Sequence, residues 1–271
     1  MSDVDEQQWL DFRAAREAEL VSPHGWLCLR GFHWVPETPT MLDGLPGVWS
    51  TDGDSAYLDA ELDDGFQVDG QGVEGRVEKT VAETGRVPWL TLDDVEIELL
   101  RRGGRLAIRL RAETSPEREN FPGVPTYDYD PAWRIQARFH PYPAGEKVDV
   151  ATHKPELRQL LPAIGEVEFD LEGQTQKLVV TNIKTGPSIE FHDPTNDDET
   201  PAWRQLKFDF DPADTSGDAE GLVILDFNRT INMWFAFTDH ATCPRPAIDN
   251  IISVPVRAGE KKPLPTPTPA A

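Results

Sequence analysis

The feature that most constrains this chain is a pair of alternating runs on either side of a diglycine. Val95, Ile97 and Leu99 alternate with Glu96 and Glu98; Gly103-Gly104 follows; then Leu106, Ile108 and Leu110 alternate with Arg105, Arg109 and Arg111. A period of two puts one set of side chains on one face of a strand and the other set on the opposite face. Two glycines tolerate the positive φ that both central positions of a two-residue hairpin turn require. The spacing therefore predicts an antiparallel hairpin. The pattern recurs where Val167, Phe169 and Leu171 run into Gly173 and Lys177 to Asn182 returns. It recurs again where Trp133, Ile135, Ala137 and Phe139 alternate with Arg134, Gln136 and Arg138. Phe66 to Val68, Arg76 to Val81, Ser188 to Phe191, Leu206 to Phe210 and Gly221 to Phe227 read as further strands. Short strands separated by Gly, Pro and Asp clusters, with no strand–helix rhythm and no repeat, predict an all-β, mainly antiparallel fold. A curved sandwich and a partly closed barrel both fit.

Helical spacing shows in two places. At the N-terminus Ser2 is placed to cap a helix and Asp3 and Asp5 to favour its positive end. Trp9, Phe12, Ala15 and Leu20 supply its apolar stripe, and Pro23 to Gly25 ends it. A second, brief helical stretch is expected near Pro155 to Leu161. The predicted organisation is a helix over residues 1–24 packed on the body, one β domain over 25–260, and a Pro-rich extended tail over 261–271.

Charge narrows the partners. Against 48 acidic residues stand 26 basic ones, a net charge of -22, which repels polyanions and excludes a phosphate-neutralising footprint. Nucleic acid is not an expected partner. The one basic cluster, Arg101, Arg102, Arg105, Arg109 and Arg111, reads as a solvated strand face. No apolar run approaches the roughly 20 residues of a membrane-spanning helix. The opening MSDVDEQQWL shows no leader pattern, and two cysteines, Cys28 and Cys243, make no disulfide framework. A cytoplasmic protein that does not engage membranes is the expectation.

Chemistry concentrates in Leu225 to Pro246, which gathers Asp226, Asn228, Arg229, Asn232, Asp239, His240 and Cys243. On a continuing strand Asp226 and Asn228 share one face, where they either fasten strands with Arg134, Arg138 or Arg204 or line the mouth of a pocket. His240 and Cys243 have a spacing that suits two ligands of one metal or a thiolate–imidazole pair, yet no second pair of that spacing joins them, and a small buried cysteine in a Pro-bounded turn explains Cys243 equally well. The loop with Asp193, Asp197, Asp198 and Glu199 carries oxygen ligands without the spacing of a helix–loop–helix calcium site, and reads as a solvated loop. Trp26, Phe32, Trp34 and Trp49 form an aromatic patch of the kind that fills cores and also lines small-molecule pockets.

The segments LDFNR and FTDHATCPRPAIDN, with Gly25 to Trp34, Asn120 to Gly123 and Ala258 to Glu260, resemble a bacterial domain-of-unknown-function family frequent in actinomycetes. The likeness extends over roughly residues 9 to 262. The chain departs from the family where Tyr-Asn-Pro-Pro-Cys is usual: here the residues are Ile231, Asn232, Met233, Trp234 and Phe235, so a cysteine is lost and with it any two-thiol chemistry of that region. The resemblance brings no reaction and no cofactor. From the residues themselves, the leading expectation is a small-molecule binder. Arg204, Asp226, Asn228 and Asn232 would form its polar floor, Trp34 and Trp234 its walls, and His240 would lie beside them. No metal is assigned to this set. A hydrolytic or metal-assisted enzyme using His240 and Cys243 is the alternative, and an acidic-surface interaction module is a third.

Overall fold

A computed structural model describes residues 2–183, 186–209 and 221–265, with the backbone alone described at residues 2, 3 and 183. The capping expected of Ser2 and Asp3, the strand position of Phe210 and the end of the Pro-rich tail lie outside the described atoms. The curved all-β class with an N-terminal helix is the one observed. Every ladder between named strands is antiparallel. No described helix is long and apolar enough to cross a membrane.

The chain forms two compact units. One is built from Glu19–Phe121 with Thr238–Ala241. Its strands are β1 (Leu29–Trp34), β2 (Val48–Thr51), β3 (Ser55–Ala60), β4 (Gln67–Val68), β5 (Gln71–Gly72), β6 (Gly75–Thr80), β7 (Arg86–Leu92), β8 (Val95–Arg102) and β9 (Arg105–Ala112). They form a six-stranded sheet in the order β1-β9-β8-β7-β4-β5 and a three-stranded sheet β2-β3-β6. The β8–β9 hairpin turns at Gly103 and Gly104, both at positive φ, with Arg102 opposite Arg105. Ile97, Leu99, Leu106 and Ile108 join Trp49, Leu58 and Phe66 in the core of this unit.

The opposite face of the hairpin corrects the expectation of a solvated arginine row. Arg109 and Arg111 are 1% and 2% exposed. Their guanidinium groups lie 3.7 and 3.4 Å from Glu98 and stack against the Trp26 ring. Arg111 also donates to the carbonyls of His24 and Gly25. A shared carboxylate and an aromatic face offset the desolvation of charges that strand alternation alone would send to water.

The second unit comprises Met1–Ala18, Pro122–Phe237 and Thr242–Pro265. It holds most of helix α1 (Ser2–Leu20) and the strands β10 (Arg134–Pro141), β11 (Lys147–Ala151), β12 (Arg158–Leu171), β13 (Gln174–Ile183), β14 (Gly186–Phe191), β15 (Arg204–Lys207), β16 (Gly221–Asp226) and β17 (Ile231–Asn232). The sheet order is β16-β10-β12-β13-β14-β15-β17, with β11 on the first half of β12. Alternate residues of these strands (Ala137, Phe139, Val167, Phe169, Ile189, Phe191, Val223 and Leu225 among them) converge on Phe227 in one core.

Two helix expectations change. Residues 155–161 are not helical: a turn closes from Leu157 N–H to the Lys154 carbonyl, and β12 then pairs with β11 from Arg158 onward. The ladder partner β11 outweighs the local signal. In α1, Ala15 is exposed, and the buried positions include Arg13 and Arg16, at helical spacing from the partly buried Trp9.

Candidate functional site

The polar residues of the C-terminal motif sort into two neighbouring networks of the second unit. The first is centred on Arg204. Strand alternation turns Arg204 and Leu206 to the core face of β15 and Gln205 to the other face. Arg204 stands opposite Phe191 on β14 and opposite Asn232 on β17. Its side chain is fully buried beside Asp193 at 3.2 Å. Nη1 donates to the carbonyls of Ala258 (2.7 Å) and Glu260 (3.3 Å), and Nη2 to that of Val256 (2.8 Å). These three carbonyls come from alternate residues of the C-terminal segment. Asp193 accepts the Val256 N–H at 2.8 Å, so the buried pair acts as a strand edge for that segment. Burial pushes the Arg204 guanidinium below its ordinary pKa, and Asp193 pulls it back up.

Glu260 extends this network to the helix. It is fully buried, accepting from Arg13 (2.6 Å) and Arg16 (3.3 Å) through Oε1 and from the Asn232 N–H (2.6 Å) through Oε2. Arg16 also donates to the Asn232 carbonyl at 2.9 Å and lies 4.5 Å over the Trp234 ring. The Asn232 amide donates to the Lys261 carbonyl at 2.7 Å. Gly259 makes the approach possible: its φ is positive, and a Cβ there would collide with the Thr230 carbonyl oxygen.

The second network holds Asp226 and Asn228. The expectation that they share a strand face fails, because β16 ends at Asp226 and residues 227–229 form a 3-10 turn capped by the Asp226 carboxylate. The turn buries Phe227 in the core and aims the Asn228 amide at the backbone of one residue, Asp130. It accepts the Asp130 N–H (3.1 Å) and donates to the Asp130 carbonyl (2.9 Å). Asp226 also faces Arg229 at 3.5 Å and Arg134 at 3.8 Å.

Asn250 plays the same part elsewhere. β13 and β14 pair only from Thr181/Ser188 to the turn. Beyond that point the Asn250 amide fills the gap, accepting from Val179 N–H (2.7 Å) and donating to the carbonyls of Val179 (3.0 Å) and Glu190 (2.9 Å). An asparagine side chain carries the donor and acceptor of a peptide group, so it can stand in for a missing strand residue. Asn250→Ala is expected to lower unfolding free energy by about 1–3 kcal/mol, because it leaves buried backbone groups unpaired. Asn250→Asp, which lacks the donor, is expected not to restore it; chemical denaturation checks both.

The face opposite the core carries a cluster that the motif did not announce. Glu190, 3% exposed, accepts from Gln205 (2.7 Å), Ser188 (2.9 Å) and Thr181 (3.2 Å). Among the described residues no basic group lies within ion-pair distance of it. Two residues on, His192 bonds the Ala202 carbonyl at 2.8 Å and meets the edge of Trp203, on which Phe235 stacks at 3.7 Å. The sequence signal was Ser188-x-Glu190-x-His192, polar at every second position of a strand that is buried on both faces.

Two other expected site residues, Trp34 and His240, belong to the first unit. Trp34 is on β1, under the Arg105 guanidinium at 3.9 Å. His240 belongs to the Thr238–Ala241 segment of that unit, its N–H on the Thr238 hydroxyl. Among the described residues, no group of three or more His, Cys, Asp or Glu stands where it would hold a metal ion. Cys243 is buried, with its carbonyl accepting from His153 N–H at 2.8 Å. The acidic loop is tied to the protein itself. Asp193 serves Arg204, while Glu199 takes Arg257 at 2.9 Å and the Tyr127 hydroxyl at 2.8 Å. Burial and that carboxylate raise the Tyr127 phenol well above its ordinary pKa.

Apart from the α1 arginines, these networks fall inside the region that identifies the chain. Residues 119–261, more than half the sequence, match the family described as "Protein of unknown function (DUF1684)". The chain belongs to the DUF1684 family. The match takes in Arg204, Asp226, Asn228, Asn232, Asn250 and Glu260, and stops short of Trp34 and the rest of residues 9–118. No curated protein matches the chain. Among solved structures, it resembles an uncharacterised protein of Haloarcula marismortui determined in solution by NMR. The identity is 25%, with 54% of this chain and 82% of that chain covered and a TM-score of 0.43.

Proposed function

We propose that the DUF1684 unit binds a small molecule enclosed beside Arg204 and Asn232. The observation that carries this reading is a set of buried polar atoms with no partner among the described residues: Arg204 Nε, Thr230 Oγ1 and Asn232 Oδ1. Arg204 and Asn232 face each other across β15 and β17, and Thr230 is two residues from Asn232. A buried donor or acceptor left unpaired costs about 1–3 kcal/mol, and native proteins rarely leave one without a water or ligand to meet it. A donor, an acceptor and a hydroxyl that can serve as either suit a compact polar molecule. Trp234 and the Arg16 guanidinium stacked on it flank the same residues. Asp226 and Asn228 support the unit through Asp130 rather than touching the ligand.

Native mass spectrometry of protein purified under non-denaturing conditions tests the reading. The expected result is a mass above that of the chain, lost in Asn232→Leu. The bare chain mass, together with unchanged stability of Asn232→Leu, would sink it, since the unpaired acceptor would then serve neither ligand nor fold.

A further inference from the structure

β16 lies at one edge of the eight-stranded sheet, and among the described residues no strand pairs with its outer side. It reads Gly-Leu-Val-Ile-Leu-Asp from 221 to 226. Val223 and Leu225 enter the core, while Leu222 and Ile224 point to the other face, 64% and 48% exposed. Edge strands are ordinarily guarded by lysine, proline, a bulge or a very short length, because an open row of N–H and C=O groups invites another strand. None of these guards is present here. The ladder to β10 runs without a bulge from Arg134↔Asp226 to Phe139↔Gly221, and residues 222–226 contain no lysine or proline.

We propose that β16 is a self-association strand, on which a second copy of this chain adds its own β16 antiparallel across a two-fold axis. Register argues for a second copy. With Val223 on the axis, Leu222 of each chain stands opposite Ile224 of the other, so both exposed apolar residues are matched twice and only with each other. A two-fold interface requires that kind of self-complementarity, and cross-strand apolar pairs stabilise it. Moving the axis to Ile224 sets Leu222 against Asp226 and loses the match. Charge is compatible at the strand itself. Its one charged residue, Asp226, is already faced by Arg229 at 3.5 Å and Arg134 at 3.8 Å. The net charge of -22 acts at longer range and opposes the approach of two copies. Added salt screens that repulsion and strengthens the dimer; association through an acidic surface would weaken instead.

Sedimentation equilibrium of the full chain over about a hundred-fold concentration range, at low and high salt, tests this. Expected is a monomer–dimer equilibrium that tightens with salt and is lost in Leu222→Lys/Ile224→Lys. If circular dichroism shows that this variant does not fold, Leu222→Thr/Ile224→Thr keeps a good strand former at both positions and is expected to weaken the dimer about tenfold or more. Hydrogen exchange is expected to show the outer amides of β16 protected in concentrated protein and exposed on dilution. A wild-type chain that stays monomeric throughout overturns the proposal. So does a folded variant that dimerises as wild type, or β16 protection independent of concentration, which would mean that the chain covers its own edge.

Discussion

Replacing Arg204 with methionine is expected to lower the free energy of unfolding by about 3–5 kcal/mol, the cost typical of breaking a buried pair from one side. The change removes the donor to the carbonyls of Val256, Ala258 and Glu260 and leaves the Asp193 carboxylate without its cation. Methionine fills similar volume, so the loss reports polar and charge effects rather than a cavity. Adding Asp193→Asn to that variant is expected to recover part of the loss, because it removes the uncompensated charge. Arg204→Lys is expected to recover little, since an ammonium lacks the planar fork that reaches several acceptors at once. Urea unfolding curves for the four proteins check the series. Equal stability of wild type and Arg204→Met would refute the account.

Glu260→Gln is expected to have an effect of the same size, about 3–5 kcal/mol, with a different signature. One carboxylate holds Arg13 and Arg16 of α1 and the Asn232 N–H of β17. Its neutral isostere leaves two buried guanidinium groups facing an amide. The helix should loosen before the sheet does. Limited proteolysis is expected to cut first within residues 2–18, and Trp9, whose indole N–H bonds the Asn228 carbonyl, should shift its fluorescence towards that of a solvated indole.

Much of the fold was legible because strand periodicity and turn chemistry agree locally. Around Gly103-Gly104 and Gly173 the alternation, the positive φ and the final register all follow from adjacent residues. Long-range effects were not. Residues 158–161 become strand because β11 is there to pair with them, and no local signal announces a partner. The arginines of β9 looked like a wet face because alternation cannot show that Glu98 and Trp26 wait on the same side. Arg13 and Arg16 carried a usable signal: positions 9, 13, 16 and 20 trace one helical stripe, and two arginines in such a stripe imply a buried acid. In the motif, residue types were readable but the backbone was not. The 3-10 turn at Phe227 redirects Asn228, and only the folded chain shows that Asn228 and Asn250 spend their amides on backbone N–H and C=O groups.

The link between α1 and Glu260 has a consequence for the order of synthesis. The Arg13–Glu260 bond joins residues separated by 247 positions, and residues 19–121 of the other unit lie between them in sequence. On the ribosome, chains emerge N-terminus first and domains fold as they become complete. Helix α1 leaves the exit tunnel before the strands of either unit, yet Arg13 and Arg16 cannot meet Glu260 until residue 260 has followed. An element made before the strands is therefore among the last to lock, and through that interval Arg13 has only Glu17 of its own helix as a carboxylate partner.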